Sequence, residues 1–237
     1  MRFVRPLSRA AGAVELEDGP APFAERARNV VEIARLNGVF GGRLVTVHHV
    51  RRLLARLPAD RTATILDLGT GGGDIPRSVV CWARRAGRSI RVIALDRDPA
   101  TLAVARRTVA GYPEITLLRA DALALPFRDR AVDVAITALT LHHFEPAAAT
   151  RCLAAMGRVA SVGVVVNDLA RSRMAWALVW LVTRVLGCGR MSRHDGPLSV
   201  RRAYTADELR GLCARAGLEG VAVRRYAPLL RLCAVTE

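Results

Sequence analysis

The run Ile65-Leu-Asp-Leu-Gly-Thr-Gly-Gly-Gly-Asp74 constrains this chain more than any other segment. It reads as a short buried strand that ends with an acid, Asp67, and breaks into a glycine-rich turn. Asp67, Gly69, Gly71 and Gly73 fit a pattern of apolar residue, acid, any residue, then Gly-x-Gly-x-Gly. Such a turn needs backbone without Cβ, so that the chain can reverse tightly and approach a bound nucleoside closely. By itself the turn does not choose a ligand, because dinucleotide-binding domains use a similar device.

Beyond the turn the pattern sets the fold class. Strands are expected at 64–68, 90–95, 115–119, 132–136 and 162–166, alternating with helical stretches, the signature of a mostly parallel sheet. The first helix is expected over 74–85. Asp98 as N-cap with Pro99 at the first helical position opens the next. Thr205-Ala-Asp-Glu208 spells a capping box before a helix with Leu209, Leu212, Cys213 and Ala216 on its apolar side, stopping at Gly217. Residues 221–225 and 229–235 make a terminal strand pair with Ala227-Pro228 in the turn. Upstream, the first twenty residues read as a loose arm ending at Gly19-Pro20. Helices follow at 23–36 and 44–57, with Asn37-Gly38 and Gly41-Gly42 as punctuation. The expected organisation is an arm and helical cap over 1–60 and an α/β domain over 61–237. An insertion around 169–204 holds an apolar helix at 174–186 and a loop from Arg190 to Pro197.

At 237 residues and 51% hydrophobic content the chain can bury one large core. Its net charge of +15 invites a nucleic-acid or anionic-membrane partner. All 36 basic residues are arginines, however, and they are dispersed, with no run of five like charges. A GC-rich coding sequence produces the same bias. The five cysteines show no CxxC spacing and no metal-type cluster with histidine, so reduced thiols and no metal are expected. Met1-Arg-Phe-Val-Arg-Pro6 has no hydrophobic signal core, which points to a cytoplasmic location.

The glycine turn, followed by acids at the next two strand ends, resembles the first motifs of class I S-adenosyl-L-methionine (SAM)-dependent methyltransferases. That resemblance implies a Rossmann-like, doubly wound, seven-stranded, mostly parallel sheet with an antiparallel C-terminal strand pair, to which the helices at 23–57 add an N-terminal helical cap. It also implies SAM as the cofactor. Asp67 and the Gly69-Thr70-Gly71 turn would hold the methionine part. Asp96, 29 positions after Asp67, with Arg97 beside it, would take the ribose hydroxyls. Asp121 and Ala122 would face the adenine, and Thr137 closes the set at the end of the fourth strand. A solvated loop aspartate remains the alternative for Asp96. The acid directly before the turn argues against a nicotinamide dehydrogenase.

The segment Thr137-Ala-Leu-Thr-Leu-His-His-Phe144 resembles the Leu-His-His segment of small-molecule, including quinone-ring, methyltransferases. His142 and His143 are candidates for a general base or a substrate hydrogen bond. An imidazole of pKa near ~6.5 can assist deprotonation of a phenol near ~10. Either histidine can equally cap the following helix or fill space. Asn167, Asp168, His194 and Asp195 are candidates for the acceptor pocket. His48-His49 reads as helix packing. There is no Asn/Asp-Pro-Pro-aromatic motif and no Pro-Cys pair here, which disfavours nucleic-acid bases as acceptors. The Lys-Pro-Gly-Gly turn usual in quinone methyltransferases is replaced by Arg158-Val-Ala-Ser-Val-Gly163, which puts quinone C-methylation in doubt. The 167–173 and 195–201 segments look like a bacterial subgroup associated with polyketide-type natural products.

The expected function is therefore methyl transfer from SAM to a small hydrophobic acceptor, phenolic or quinone-like, with O-methylation slightly preferred. An RNA or protein methyltransferase and an inactive SAM-binding scaffold are the rivals. Peripheral membrane contact through the apolar helix stays open, and the sequence fixes no oligomeric state.

Overall fold

The alternating apolar runs form one sheet because each has a face for both layers of helices. The structure, a computed structural model, describes residues 7–237, so the reading of residues 1–6 lies outside it. The chain begins with helices α1 (Phe23–Val39) and α2 (Gly42–Leu54), then β1 (Ala63–Leu68), α3 (Asp74–Arg85), β2 (Ile90–Asp96) and α4 (Pro99–Val109). Next come β3 (Ile115–Arg119), β4 (Val132–Ala138), α5 (Pro146–Val159) and β5 (Ala160–Leu169). Helices α6 (Arg173–Val185), α7 (Arg190–Arg202) and α8 (Ala206–Arg215) lead to β6 (Val221–Tyr226) and β7 (Arg231–Thr236). The strands pair in the order β3-β2-β1-β4-β5-β7-β6. The first five strands in this order are parallel, and β7 runs antiparallel to both β5 and β6. This is the doubly wound sheet that the sequence implied.

Successive residues of the central strands serve opposite faces, as the pleat requires. Ile65, Val134 and Val165 pack with Val50 and Leu53 of α2 and Val79 of α3. Leu66, Ala135 and Val164 pack with Leu153 and Met156 of α5 and Leu209 and Leu212 of α8. Helix α2 thus packs into the main core. A third cluster, with Phe40, Leu169, Ala175, Val179 and Val200, roofs the carboxyl edge of the sheet.

Local signals held where they were satisfied locally. Asp98 accepts from the amides of Ala100 and Thr101 and caps α4. Thr205 and Glu208 form the capping box of α8, and Gly217 takes a left-handed φ of +70°.

Three expectations give way to tertiary contacts. Helix α1 continues through Asn37-Gly38, since Asn37 is buried and bonded to Asp74 and Arg231. The segment around Gly196-Pro197 is helical, inside α7. There Met191, Ser192, Asp195, Ser199 and Val200 are buried, and that packing outweighs the missing proline donor. The arm is not loose over its described part. Leu16–Asp18 forms a 3-10 turn, and Glu15 is only 2% exposed.

Candidate functional site

Strand order reverses between β1 and β4, and α/β sheets hold ligands beyond the strand carboxyl ends at such a point. A cavity of about 530 Å³ lies there, a size typical of small-molecule sites. Asp67, Gly69, Thr70, Gly71, Asp96, Arg97, Asp121 and Ala122 all line it.

The turn has the geometry that its glycines suggested. Gly69 sits at φ +68°, and a Cβ there would lie 2.4 Å from Thr140 Oγ1. Gly71 sits at φ +54° with nothing within 4 Å of an added Cβ, so a ligand can approach its backbone. Gly73 makes room for Val109 and Ala105 of α4, so its close packing is helix to helix. Asp96 secures the turn to the end of β2: one oxygen accepts from Gly71 N at 3.0 Å, the other from Asp98 N at 3.1 Å. Each oxygen keeps a lone pair. Burial raises the Asp96 pKa despite these bonds. Asp121 accepts from Leu123 N at 2.8 Å.

Asp67 is fully enclosed, and burial, reinforced by the charges of Asp74 and Asp96, pushes its pKa up to about 8. The Thr70 hydroxyl beside it acts the other way and lowers that value, and neither Asp67 Oδ1 nor this hydroxyl finds any further partner among the described residues. An orphaned buried polar atom costs about 1–3 kcal/mol, so such atoms clustered on a cavity wall fit a polar ligand group. This donor and acceptor set suits an amino acid, a ribose and a purine amine, and therefore fits SAM.

Beyond the end of β4, a 3-10 turn over Leu141–His143 presents the two histidines. His142 is buried, with Nδ1 at 2.7 Å from Asp168 Oδ1. Asp168 also accepts from the amides of His142 and Leu169, at 3.0 and 2.7 Å. Burial would raise the Asp168 pKa, but His142 and these amides bring it below the ordinary carboxylate value. An ionised carboxylate only accepts, so Nδ1 of His142 is the donor. In the neutral ring this leaves Nε2 with its lone pair, on the side where Glu15 Oε1 stands 3.8 Å away.

His143 has the opposite character. Burial lowers its pKa, but the hydrogen bond to Asp18 and the charges of Glu15, Glu17 and Asp18 together lift it to about 9. It is an imidazolium at neutral pH and has no lone pair to serve as a base.

The arm forms part of the cavity wall through Glu15, Glu17 and Asp18. Asp195 of α7 accepts from the amides of Leu16 and Glu17, at 2.8 and 3.0 Å. Asn29 donates to Glu17, Ser199 to Glu15, and Arg97 to Asp18. Arg97, with its side chain 68% exposed, reaches the arm through this ion pair and also lines the cavity. Glu15, His142 and His143 bring donor atoms within 4.8 Å of one another. Arg202 NH1, 3.6 Å from Glu15, already supplies positive charge there.

Four expected residues lie off the cavity wall. Thr137 is buried, and its hydroxyl donates to Leu68 O at 3.0 Å, tying β4 to β1. Asn167 is also buried, and its amide donates to Gly42 O and Thr46 Oγ1, anchoring α2. Asp168 stands behind His142. His194 lies on the outer side of α7, paired with Asp195 at 2.7 Å. His49 bonds to Tyr226 in helix packing. Sequence reading missed Glu15, Glu17, Asp18, Asn37, Arg202 and Arg231, all of which line the cavity. Two signals were available: three acids within Glu15-Leu-Glu-Asp18 of a very basic chain, and Arg231 set among leucines.

A doubly wound sheet whose first three strands end in acids around one cavity defines a nucleoside-binding α/β enzyme. A family profile described as a methyltransferase domain matches residues 65–163. The chain is 46% identical over 83 residues to a 2-phytyl-1,4-naphtoquinone methyltransferase from Thermosynechococcus vestitus, covering 34% of this chain and 36% of that protein. It therefore spans about a third of that relative. It is 35% identical over 166 residues to a demethylmenaquinone methyltransferase from Thermus thermophilus, covering 65% of this chain and 73% of that protein. A solved SAM-dependent methyltransferase from Aquifex aeolicus shares the fold, with a TM-score of 0.53 at 19% identity over 78% of this chain and 87% of that one. The chain belongs to the class I SAM-dependent methyltransferases.

Proposed function

We propose that the protein methylates a small, apolar acceptor, phenolic or quinone-like in its reduced quinol form, at a hydroxyl oxygen, with His142 as the general base. The observation that carries this reading is the Asp168–His142 pair, whose histidine lines the same cavity as Asp67, Asp96 and Asp121. SAM, when bound, supplies an electrophilic methyl group on a sulfonium. Asp67 and the Gly69–Gly71 backbone hold its amino-acid end, Asp96 its ribose, and Asp121 with Ala122 its adenine.

The acceptor lies toward β4 and β5, where Ile33, Leu36, Phe40, Leu139, Leu169 and Val179 give the cavity an apolar wall. Asp168 fixes the tautomer of His142, so Nε2 is free to take a hydroxyl proton. His143 orders the arm and does no acid–base chemistry at the acceptor. Relatives named for naphthoquinone and demethylmenaquinone methylation support a quinone-type ring acceptor. The proposal places the enzyme in a reducing compartment such as the cytoplasm, in keeping with its five free thiols.

The test is calorimetry with SAM, together with turnover of a panel of hydrophobic phenols and naphthoquinols. Asp96→Ala should lose most SAM affinity. His142→Ala should lower kcat by about 10²–10⁴ with SAM affinity intact. SAM binding without turnover of any acceptor would leave the scaffold reading. Unchanged kcat in His142→Ala would remove the base.

A further inference from the structure

Helix α6 buries only a narrow stripe, Ala175, Val179 and Thr183, spaced four residues apart. Much of the rest of its surface is apolar and faces solvent: Met174, Trp176, Leu178, Trp180, Leu181 and Val185 are 37–73% exposed. Leu186 continues the patch to the outer face of α1, where Val31 is half exposed. Apolar residues clustered on one outer helix differ from the scattered exposure normal on a soluble surface.

The segment that carries this face has charge of one sign, and the nearest acid on α1, Glu32, is paired with Arg28. Leu169 to His194 contains five arginines and no acid. Arg171 is buried and paired with Glu208, but Arg173, Arg190 and Arg193 are exposed and Arg184 half-buried. Arg184 lies over the Trp180 ring at 4.1 Å, an aromatic with a cation beside it. A two-fold pairing of this face with a second copy would bring its arginines against themselves. An anionic surface complements them. At 13 residues α6 is about 20 Å long, short of the ~30 Å of a bilayer core, so it can lie in an interface and not cross it.

We propose that the outer face of α6 docks on an anionic lipid bilayer, with Trp176, Trp180 and Leu181 inserted at the headgroup level and the arginines on lipid phosphates. The same helix lines the active cavity through Val179, so docking sets the cavity roof against the membrane. The consequence rests on the function proposed above: an apolar acceptor dissolved in lipid reaches the site from the bilayer.

Flotation of the full-length protein with phosphatidylglycerol vesicles and with phosphatidylcholine vesicles tests this. Binding should require the anionic lipid, weaken at high salt, and fall about a hundredfold in Trp176→Glu/Leu181→Glu. Arg173→Glu/Arg190→Glu should also bind weakly. Both variants should keep the parent's melting temperature, its SAM affinity by calorimetry and its turnover of a water-soluble phenol. Equal binding to both vesicle types would overturn the proposal. So would a solution dimer that Trp176→Glu/Leu181→Glu converts to monomer without any vesicle binding. Failure of the methyl-transfer reading would appear separately, as lost turnover or SAM binding in the parent protein.

Discussion

Asp67 stands on the cavity wall with its carboxyl group held where burial opposes its charge. Its pKa in the folded protein, about 8, lies above the ordinary 3.8 because burial disfavours the charge. Folding therefore loses stability as pH rises from 3.8 toward 8, where the unfolded chain ionises and the folded chain resists. Asp67→Asn should be more stable than the parent at pH 7, by about 1–3 kcal/mol in denaturant unfolding, and bind SAM at least about tenfold more weakly. A variant that is less stable at that pH would contradict the account. Asp168→Asn should reduce kcat like His142→Ala, because an amide can present its NH₂ to Nδ1 and favour the wrong tautomer. A pH–rate profile that keeps the parent's acid limb in Asp168→Asn would show that the pair does not act as a unit. At this scale the sequence named both histidines but could not separate them. One backs onto Asp168 and the other onto Asp18, 125 positions upstream.

Among elements, the arm carries the sharpest pH dependence. His143 has a folded pKa of about 9, above its ordinary 6.5, so its contribution to arm docking is complete below 6.5 and lost as pH rises through 9. Burial raises the Asp18 pKa, but the hydrogen bond and charge of His143, with Arg202 and Arg97, bring it to about 2. That contribution is present above 3.8 and lost as pH falls through 2. The arm should be held best between about pH 4 and 6.5 and loosen toward pH 9. Hydrogen exchange at the amides of Leu16 and Glu17, corrected for intrinsic rate, should show protection falling across that alkaline window. Protection constant from pH 6 to 9 would count against it. The arm and α7 were the elements least legible in sequence, for a shared reason. Glu15–Asp18 is too short to hold a helical turn alone and Gly196-Pro197 has a turn-like local preference, and each is fixed by burial against the other.

For the molecule as a whole, the boundary near residue 60 does not divide the core. Leu53 of α2 is buried beneath β1, β4 and β5. Leu53→Ala should cost about 2–5 kcal/mol in a single unfolding transition shared by sheet and site. A separate early transition for α2 would show a detachable cap. The sequence by itself determined the sheet, the cofactor turn and the capped helices α4 and α8. Strand alternation, glycine φ and capping are settled within a few residues, and the acids Asp67, Asp96 and Asp121 are placed by strand ends alone. Tertiary structure alone decided which histidine pairs with Asp168 and which with Asp18, that Thr137 and Asn167 brace strands and helices, and that an acidic arm lines the cavity. Those outcomes depend on partners more than a hundred positions apart for Asn167 and the arm, and on burial, which shifts charge and overrides local preference in ways no short window of sequence encodes.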